Sequence, residues 1–206
     1  MEEVSGIIIS SIKYKENDAL ISILNEKGVF TYKARALYSK NSHLAYLLSI
    51  LNEVKLETYK GGQKYSSIRD GTIVNRFFQP QINDGLELLA LVEVLKELVS
   101  KFPIVDDYPK NYQLLNLTIT NFKKDNAEII VLSYLIILIK LLGYDFRNDL
   151  NKEDDFDNLI FTLLSKKYKE IIGFDFNNID KVKIIVYFLD ILEKYSDTRI
   201  ISKKLL

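Results

Sequence analysis

The chain has 206 residues, of which 48% are apolar and 27% are charged, and it contains no cysteine. This composition is typical of a globular protein with one large domain or two small ones, and it excludes disulfides and a thiolate zinc site. The N-terminus, Met-Glu-Glu, lacks the basic segment of a secretory signal peptide, and the longest apolar run, residues 129–139, is too short to span a bilayer. We therefore expect a cytoplasmic protein.

The net charge of zero hides an uneven distribution of charge along the chain. Residues 1–82 carry 11 Lys and Arg against 8 Asp and Glu, whereas the remainder carries 17 against 20. Residues 27–76 alone contain 9 basic and 3 acidic side chains. A local basic surface is typical of nucleic-acid binding. An ordinary solvated, lysine-rich surface explains the same counts.

The first 80 residues show the alternation of apolar and polar side chains that is typical of β-strands. Gly28 indicates a hairpin, Gly61-Gly62 indicates a turn, and Gly71 indicates a bulge or kink. Five strands are predicted: the first opens with the β-branched run Ile7-Ile8-Ile9, and the others lie at 18–26, 29–36, 54–60 and 65–75. Five short strands with a break after the third favour a small OB-type barrel. An SH3-like barrel or a small sandwich gives nearly the same pattern.

After Pro80 the spacing of apolar residues becomes helical. Asp84 and Glu87 resemble a capping box at the start of a helix that ends at Phe102-Pro103. Further helices are predicted at 108–123, 127–142, 156–171 and 179–194, with Gly143 and Gly173 at helix ends. The expected fold class is α+β, with an N-terminal OB-type barrel over residues 1–80 followed by an all-α domain over residues 81–206.

Several short motifs occur in a fixed order along the whole chain. In the first half these are Gly6-Ile7-Ile8-Ile9, Tyr14-Lys15-Glu16-Asn17-Asp18, Gly28, Lys33-Ala34-Arg35 and Lys40-x-Ser42-x-Leu44. In the second half they are Asp84-x-Leu86-Glu87-x-Leu89-Ala90, Glu97-Leu98, Leu141-Leu142-Gly143-Tyr144 and Ser202-Lys203-Lys204-Leu205-Leu206. In this order they resemble the RecO family of bacterial DNA repair proteins. Two departures stand out: the four cysteines of the family's zinc loop are absent, and Ala36 stands where a glycine is usual.

The resemblance implies a non-enzymatic mediator of recombinational repair. Such proteins bind single- and double-stranded DNA and promote annealing of complementary strands. They also contact the acidic C-terminal tail of the single-strand-binding protein SSB, pair with RecR, and help to load RecA. For the SSB tail, basic residues of the helical half are the candidates: Lys101, Lys123, Lys124, Lys166, Lys167 and Lys169.

DNA binding by a small barrel requires cations for phosphates and flat side chains for bases. Lys33 and Arg35 are the first candidates, because alternation predicts that Thr31, Lys33 and Arg35 share the outer face of the third strand, while Phe30, Tyr32, Ala34 and Ala36 point inward. The further candidates lie in the following loop and around Gly61-Gly62: Lys40, Lys60, Lys64, Tyr65 and Arg69, with Tyr59 nearby. His43, the only histidine of the sequence, is interpreted as an ordinary surface residue. A solvated surface is the alternative for the cations, and half-buried packing is the alternative for Tyr65.

No catalytic or cofactor site is predicted. The acidic run at residues 149–157 has EF-hand-like alternation, but Asp154 stands at the glycine position of such a loop and Ile160 at the final glutamate position. No Walker-type glycine loop is present, and a single histidine without cysteine leaves few nucleophilic triads. Besides the DNA repair mediator, two functions stay open: an RNA-binding or translation-associated module, and a protein-interaction scaffold.

Overall fold

A computed structural model describes residues 1–40, 42–60, 64–102, 107–147, 150, 154–176 and 179–206. The N-terminal part forms a closed barrel with the strand order β1-β2-β3-β5-β4, in which β4 returns to pair with β1. The strands are β1 (Glu2–Tyr14), β2 (Asp18–Asn25), β3 (Gly28–Ala34), β4 (Glu53–Tyr59) and β5 (Ser67–Asn75). The parallel pairing of β3 with β5 closes the OB-type arrangement, which confirms the predicted fold.

The barrel closes because β1 is long enough to pair with two strands, β2 and β4. Its residues 2–7 pair with β4, and its residues 7–14 pair with β2. A register shift between Ile8 and Ser10 bends the strand between these two halves. Inward-pointing side chains from all five strands then fill one apolar core, which includes Ile8, Ile21, Ala34, Leu56 and Ile68.

The predicted irregularity at Gly71 lies two residues earlier in the structure. Glu57 pairs with Asp70 and Thr58 with Ile68, so Arg69 is the extra residue of β5. Gly71 is needed for a different reason, because a Cβ there would lie 2.5 Å from Leu56 Cδ2. The glycine therefore allows β4 and β5 to approach closely.

The α-helices follow the predicted order with two differences, one of which is a short helix at Leu44–Leu47 that was not predicted. The predicted helix at 156–171 is broken into two, because Lys166 and Lys167 have extended backbone conformations with ψ of 154° and 163°. Asp84 accepts a hydrogen bond from the Gln81 N–H and closes a 3-10 turn, so it does not form the predicted capping box with Glu87. The helices are α1 (Leu44–Leu47), α2 (Leu86–Lys101), α3 (Tyr108–Asn121), α4 (Ala127–Leu141), α5 (Asp155–Ser165), α6 (Tyr168–Ile172) and α7 (Lys181–Ser196).

The chain divides into two compact units. The first contains Met1–Phe78 and Phe102–Thr120, so most of α3 belongs with the barrel, and the second contains Gln79–Lys101 and Asn121–Leu206. The sequence-based division at residue 80 stays a prediction about independently folding domains. In the second unit, α4 is the buried helix predicted from residues 129–139. Across the described ranges, no helix has the length and apolar character that a membrane span requires.

The C-terminal turn of the second unit is held by a carboxylate of α2. Glu97 accepts hydrogen bonds from the backbone N–H groups of Ile201 and Ser202, at 2.8 and 2.7 Å, and pairs with Lys101 at 2.6 Å. Burial by itself would raise the pKa of Glu97, but these hydrogen bonds outweigh it and lower the pKa to about 2. Two of the segments that carry the family resemblance, Glu97-Leu98 and the chain end, therefore meet in the structure.

We expect Glu97→Gln to lower the free energy of unfolding by about 2 kcal/mol at pH 7, since charge-assisted hydrogen bonds are lost from a half-buried site. A lowered carboxyl pKa stabilises the folded state above the ordinary value of 4.5, and this contribution is lost as the pH falls toward 2. Urea unfolding at several pH values across this range measures the change in the free energy of unfolding. Glu93→Gln, on an exposed ion pair of the same helix, is the control and should change stability little. Parallel pH curves for wild type and Glu97→Gln would contradict the assignment.

Candidate nucleic-acid interface

One end of the barrel gathers the ends of all five strands. The pairing of Tyr14 with Asp18 places the β1–β2 turn there, and the pairing of Ala19 with Ala34 places the end of β3 beside it. Lys33 pairs with Ser67, and Ser67 pairs with Tyr59. The β1–β2 turn, the end of β3 and both flanks of the β4–β5 connection are therefore neighbours, which is where OB-type barrels bind oligonucleotides.

Of the exposed cations around this end, we group four as the basic rim: Lys15, Arg35, Lys60 and Lys64. Arg35 directly follows β3, and its guanidinium carbon lies 5.9 Å from the centre of the Tyr59 ring at the end of β4. Lys60 follows Tyr59 in the chain. The backbone N–H of Lys33 donates to the Ser66 carbonyl at 2.9 Å, which brings the segment of Lys64 and Tyr65 alongside β3. Arg35, Lys60 and the segment of Lys64 therefore lie at the same end of the barrel, and their role in DNA binding stays a prediction.

Three tyrosine rings accompany the cations of the basic rim. Lys15 lies over Tyr14 at 5.6 Å, Arg35 lies over Tyr59, and Lys64 lies over the half-buried Tyr65 at 5.5 Å. Ile12, on the outer face of β1, is 62% exposed and adds an apolar surface. Cations for phosphates and flat side chains for bases are the two elements that single-strand binding uses.

Lys33 differs from its prediction as a solvent-facing cation. Its residue is only 6% exposed, and its Nζ lies 2.8 Å from Asp18 Oδ2 and 5.4 Å from the centre of the Tyr14 ring. Asp18 at the start of the adjacent β2 and Tyr14 at the end of β1, one strand further, cover Lys33 at this position. Lys33 is therefore a structural ion-pair partner at the base of the rim.

Asp18 connects this ion pair to the next segment of the chain. Its Oδ1 accepts the backbone N–H of Ala36 at 2.9 Å, while Oδ2 pairs with Lys33. The hydrogen bond from Lys33 and that from Ala36 lower the pKa of Asp18 below the ordinary carboxyl range. Ala36 itself has φ of +52°, a left-handed conformation that favours glycine. The family's usual glycine at this position thus has a conformational explanation here.

The remaining predicted residues are less clearly part of the rim. Lys40 is exposed in a loop that is tied to the β1–β2 turn, because the Tyr38 N–H donates to the Asn17 carbonyl at 3.0 Å. Arg69 is exposed, but its Nη1 lies 3.1 Å from Met1 Sδ. His43 is exposed and lies 4.0 Å from Asp70. Gly61 and Gly62 fall outside the described residues.

Sequence reasoning missed Lys15 and Tyr14 as members of this surface, and it noted Tyr59 near the Gly61-Gly62 turn without giving it a role. Lys15 lies in the β1–β2 turn, and this loop was an available signal, because OB-type barrels use it for binding. Tyr14 and Tyr59 could not be found from alternation, since only the register shows which cations lie over their rings.

The lysines considered for an acidic tail include two whose charge is already compensated. Lys101 pairs with Glu97 at 2.6 Å and Lys124 with Asp84 at 3.1 Å. Lys166 lies over the Phe174 ring at 5.1 Å. A zinc site of the family's kind does not fit this chain, because it has no cysteine and the described part shows no cluster of three metal-binding side chains. Asp149, Asn151 and Glu153 of the acidic run lie outside the described residues.

We expect Lys33→Ala to lower the free energy of unfolding by about 3 kcal/mol, because it leaves the largely buried Asp18 carboxylate without its partner. Arg35→Ala, two residues away and exposed, should change it by less than about 0.5 kcal/mol. Since the pKa of Asp18 is lowered, the cost of Lys33→Ala should diminish as acid protonates this carboxylate. Equal stability of the two variants in urea would refute the structural role of Lys33.

Ala36→Gly should raise the free energy of unfolding by roughly 0.5–1 kcal/mol. Glycine removes about 1–2 kcal/mol of strain that a left-handed conformation costs a residue with a Cβ. Its greater conformational freedom also stabilises the unfolded chain, which offsets part of this effect. Ala45→Gly, in the exposed part of α1, is the matched control and should destabilise the protein instead. Thermal unfolding measures both variants. A destabilised Ala36→Gly protein would show that the left-handed conformation is not the one adopted in solution.

The comparison with known proteins agrees with this geometry. Residues 1–77, which span the barrel, match the family described as Recombination protein O N terminal. The chain is also 30% identical over 165 residues to the DNA repair protein RecO of Clostridium perfringens (strain 13 / Type A). The alignment covers 77% of this chain and 62% of that relative, so the chain spans less than two thirds of the relative's length. The match to the barrel and the similarity that extends beyond it therefore support the RecO family for this chain.

Proposed function

We propose that this protein acts in DNA repair by holding single-stranded DNA across the basic rim. The observation that carries the proposal is the register of the barrel, which gathers Lys15, Arg35, Lys60 and Lys64 at the end where three tyrosine rings lie. Phosphates contact the cations, and unstacked bases contact Tyr14, Tyr65 and the exposed Ile12. The relative's name, a DNA repair protein, supports the biological setting.

The wider role in this proposal is that of a non-enzymatic mediator. Neutralising phosphates on two strands reduces their mutual repulsion, so the same rim supports binding of double-stranded DNA and annealing of complementary strands. From the resemblance to the RecO family, we extend the proposal to contact with the SSB tail, pairing with RecR, and help in loading RecA onto covered strands. Any covalent chemistry of the pathway would then belong to a partner.

Four phosphate contacts predict a slope of about −3 when the logarithm of the affinity for an oligothymidine is plotted against the logarithm of the salt concentration. Arg35→Glu/Lys60→Glu should bring the slope to about −1.5 and weaken binding at least tenfold at low salt. Fluorescence anisotropy measures both quantities. Lys27→Glu/Lys55→Glu has the same net charge but alters exposed lysines of the barrel outside the rim, so it is the matched control. Equal losses in the two double variants would contradict a localised interface.

Annealing of SSB-coated complementary oligonucleotides tests the mediator role with the same pair of variants. The rim variant should anneal at least tenfold more slowly than wild type, whereas the control variant should retain the wild-type rate. Lys33 is left unchanged in this design, because its substitution would also disturb the fold. Annealing by the wild type at the protein-free rate would refute the mediator, and preference for RNA of the same sequence would favour the RNA-binding alternative.

A further inference from the structure

A second site lies in the barrel unit at the turn end of the β2–β3 hairpin, away from the basic rim. It is a pocket of about 470 Å³. Three aromatic side chains line it: Phe30 and Tyr32 from β3, and Tyr112 from α3. Residues of β1 and of the hairpin turn complete the wall, among them Glu3, Glu26 and Lys27. The predicted inward-facing Phe30 is 40% exposed because it forms part of this pocket.

The three rings of this pocket differ in exposure: Phe30 is exposed, Tyr112 is half-buried, and Tyr32 is buried at the edge of the barrel core. Tyr14, Tyr59 and Tyr65 at the rim each lie under a cation of the chain itself. Among the described residues, no such cation lies over Phe30, Tyr32 or Tyr112. The face of an aromatic ring carries negative potential, so a group of rings that surrounds an open space attracts a positively charged group.

Carboxylates surround the same rings. The Tyr112 hydroxyl donates a hydrogen bond to Glu53 Oε1 at 2.8 Å. Burial, this hydrogen bond and the charges of Glu53 and Glu26 raise the pKa of Tyr112 to about 12, and burial with the charge of Glu2 raises that of Tyr32. Negative charges therefore reach both phenol groups.

The local charge is negative even after its cations are counted. Glu3 is paired with Lys55 at 3.0 Å, and Lys27 is the cation among the lining residues. Glu2, Glu26 and Glu53 add three negative charges near the phenols. Phosphate groups are repelled by such a surface, so it is unsuited to the DNA that the basic rim would hold.

We propose that this pocket binds an arginine side chain presented by a segment of a partner protein. A guanidinium group is planar, stacks on aromatic rings and donates several hydrogen bonds to carboxylates, whereas an ammonium group is a compact and strongly hydrated charge. The volume of 470 Å³ lies in the range of cavities that enclose drug-sized ligands. It therefore has room for apolar neighbours of the arginine, which supports a peptide segment over a single free cation.

The test uses the full chain and a short labelled peptide with an arginine between two leucines. Anisotropy should show binding at least about tenfold tighter than that of the same peptide with neutral citrulline, which keeps the shape and removes the charge. Phe30→Ala and Glu26→Gln should each weaken binding at least about threefold, whereas Lys27→Ala should strengthen it. Glu26 is exposed, so its variant is informative even if Phe30→Ala fails to fold.

DNA affinity is the internal control. All three variants should bind the oligothymidine like wild type. The rim variant Arg35→Glu/Lys60→Glu should bind the arginine peptide like wild type. The proposed DNA site and the proposed arginine site are therefore tested independently of each other. Equal binding of the citrulline peptide would overturn the proposal by showing an apolar groove. Undiminished arginine binding by both Phe30→Ala and Glu26→Gln would place the peptide elsewhere. Displacement of the peptide by arginine amide at equal affinity would show that no partner segment is required.

Discussion

The ion pair between Asp18 and Lys33 is the interaction on which the candidate interface depends. One carboxylate neutralises a buried lysine of β3 and also fixes the N–H of Ala36, where the chain leaves the barrel. The adjacent Arg35 thereby projects from the end of β3 toward Tyr59. A buried ion pair contributes little net stability against an apolar pair of the same shape, but it is costly to break. Its role here is to position the rim.

The barrel separates two kinds of charge. The strand ends near Tyr14 and Tyr59 carry exposed cations, whereas the β2–β3 turn carries carboxylates around Phe30 and Tyr112. At both places aromatic rings accompany the charges, but the rim rings already contact cations of the chain. A zero net charge is therefore compatible with one surface suited to a polyanion and another suited to a cation, since binding responds to the local potential.

Similarity to the RecO family and the structure support each other at particular residues. Glu97 and Ser202 belong to separate segments that resemble the family, and they are joined by hydrogen bonds. Ala36 occupies a left-handed position where the family usually has glycine. The first observation explains part of the resemblance by contact, and the second explains by conformation why glycine is usual at the position where this chain departs from the family. The absent zinc loop has no such substitute among the described residues, and the proposed DNA interface does not involve it.

The sequence by itself determined the five strands and the order of the main helices and favoured the OB-type barrel, because alternation and glycine positions are local properties of the chain. Only the tertiary structure decided that Lys33 is paired, that Lys15 joins Arg35, and that Tyr112 of α3 meets Phe30. The physical reason is that exposure of a strand residue depends on what the neighbouring strands place over it. Register and closure set those neighbours, and they arise from contacts between residues far apart in the chain.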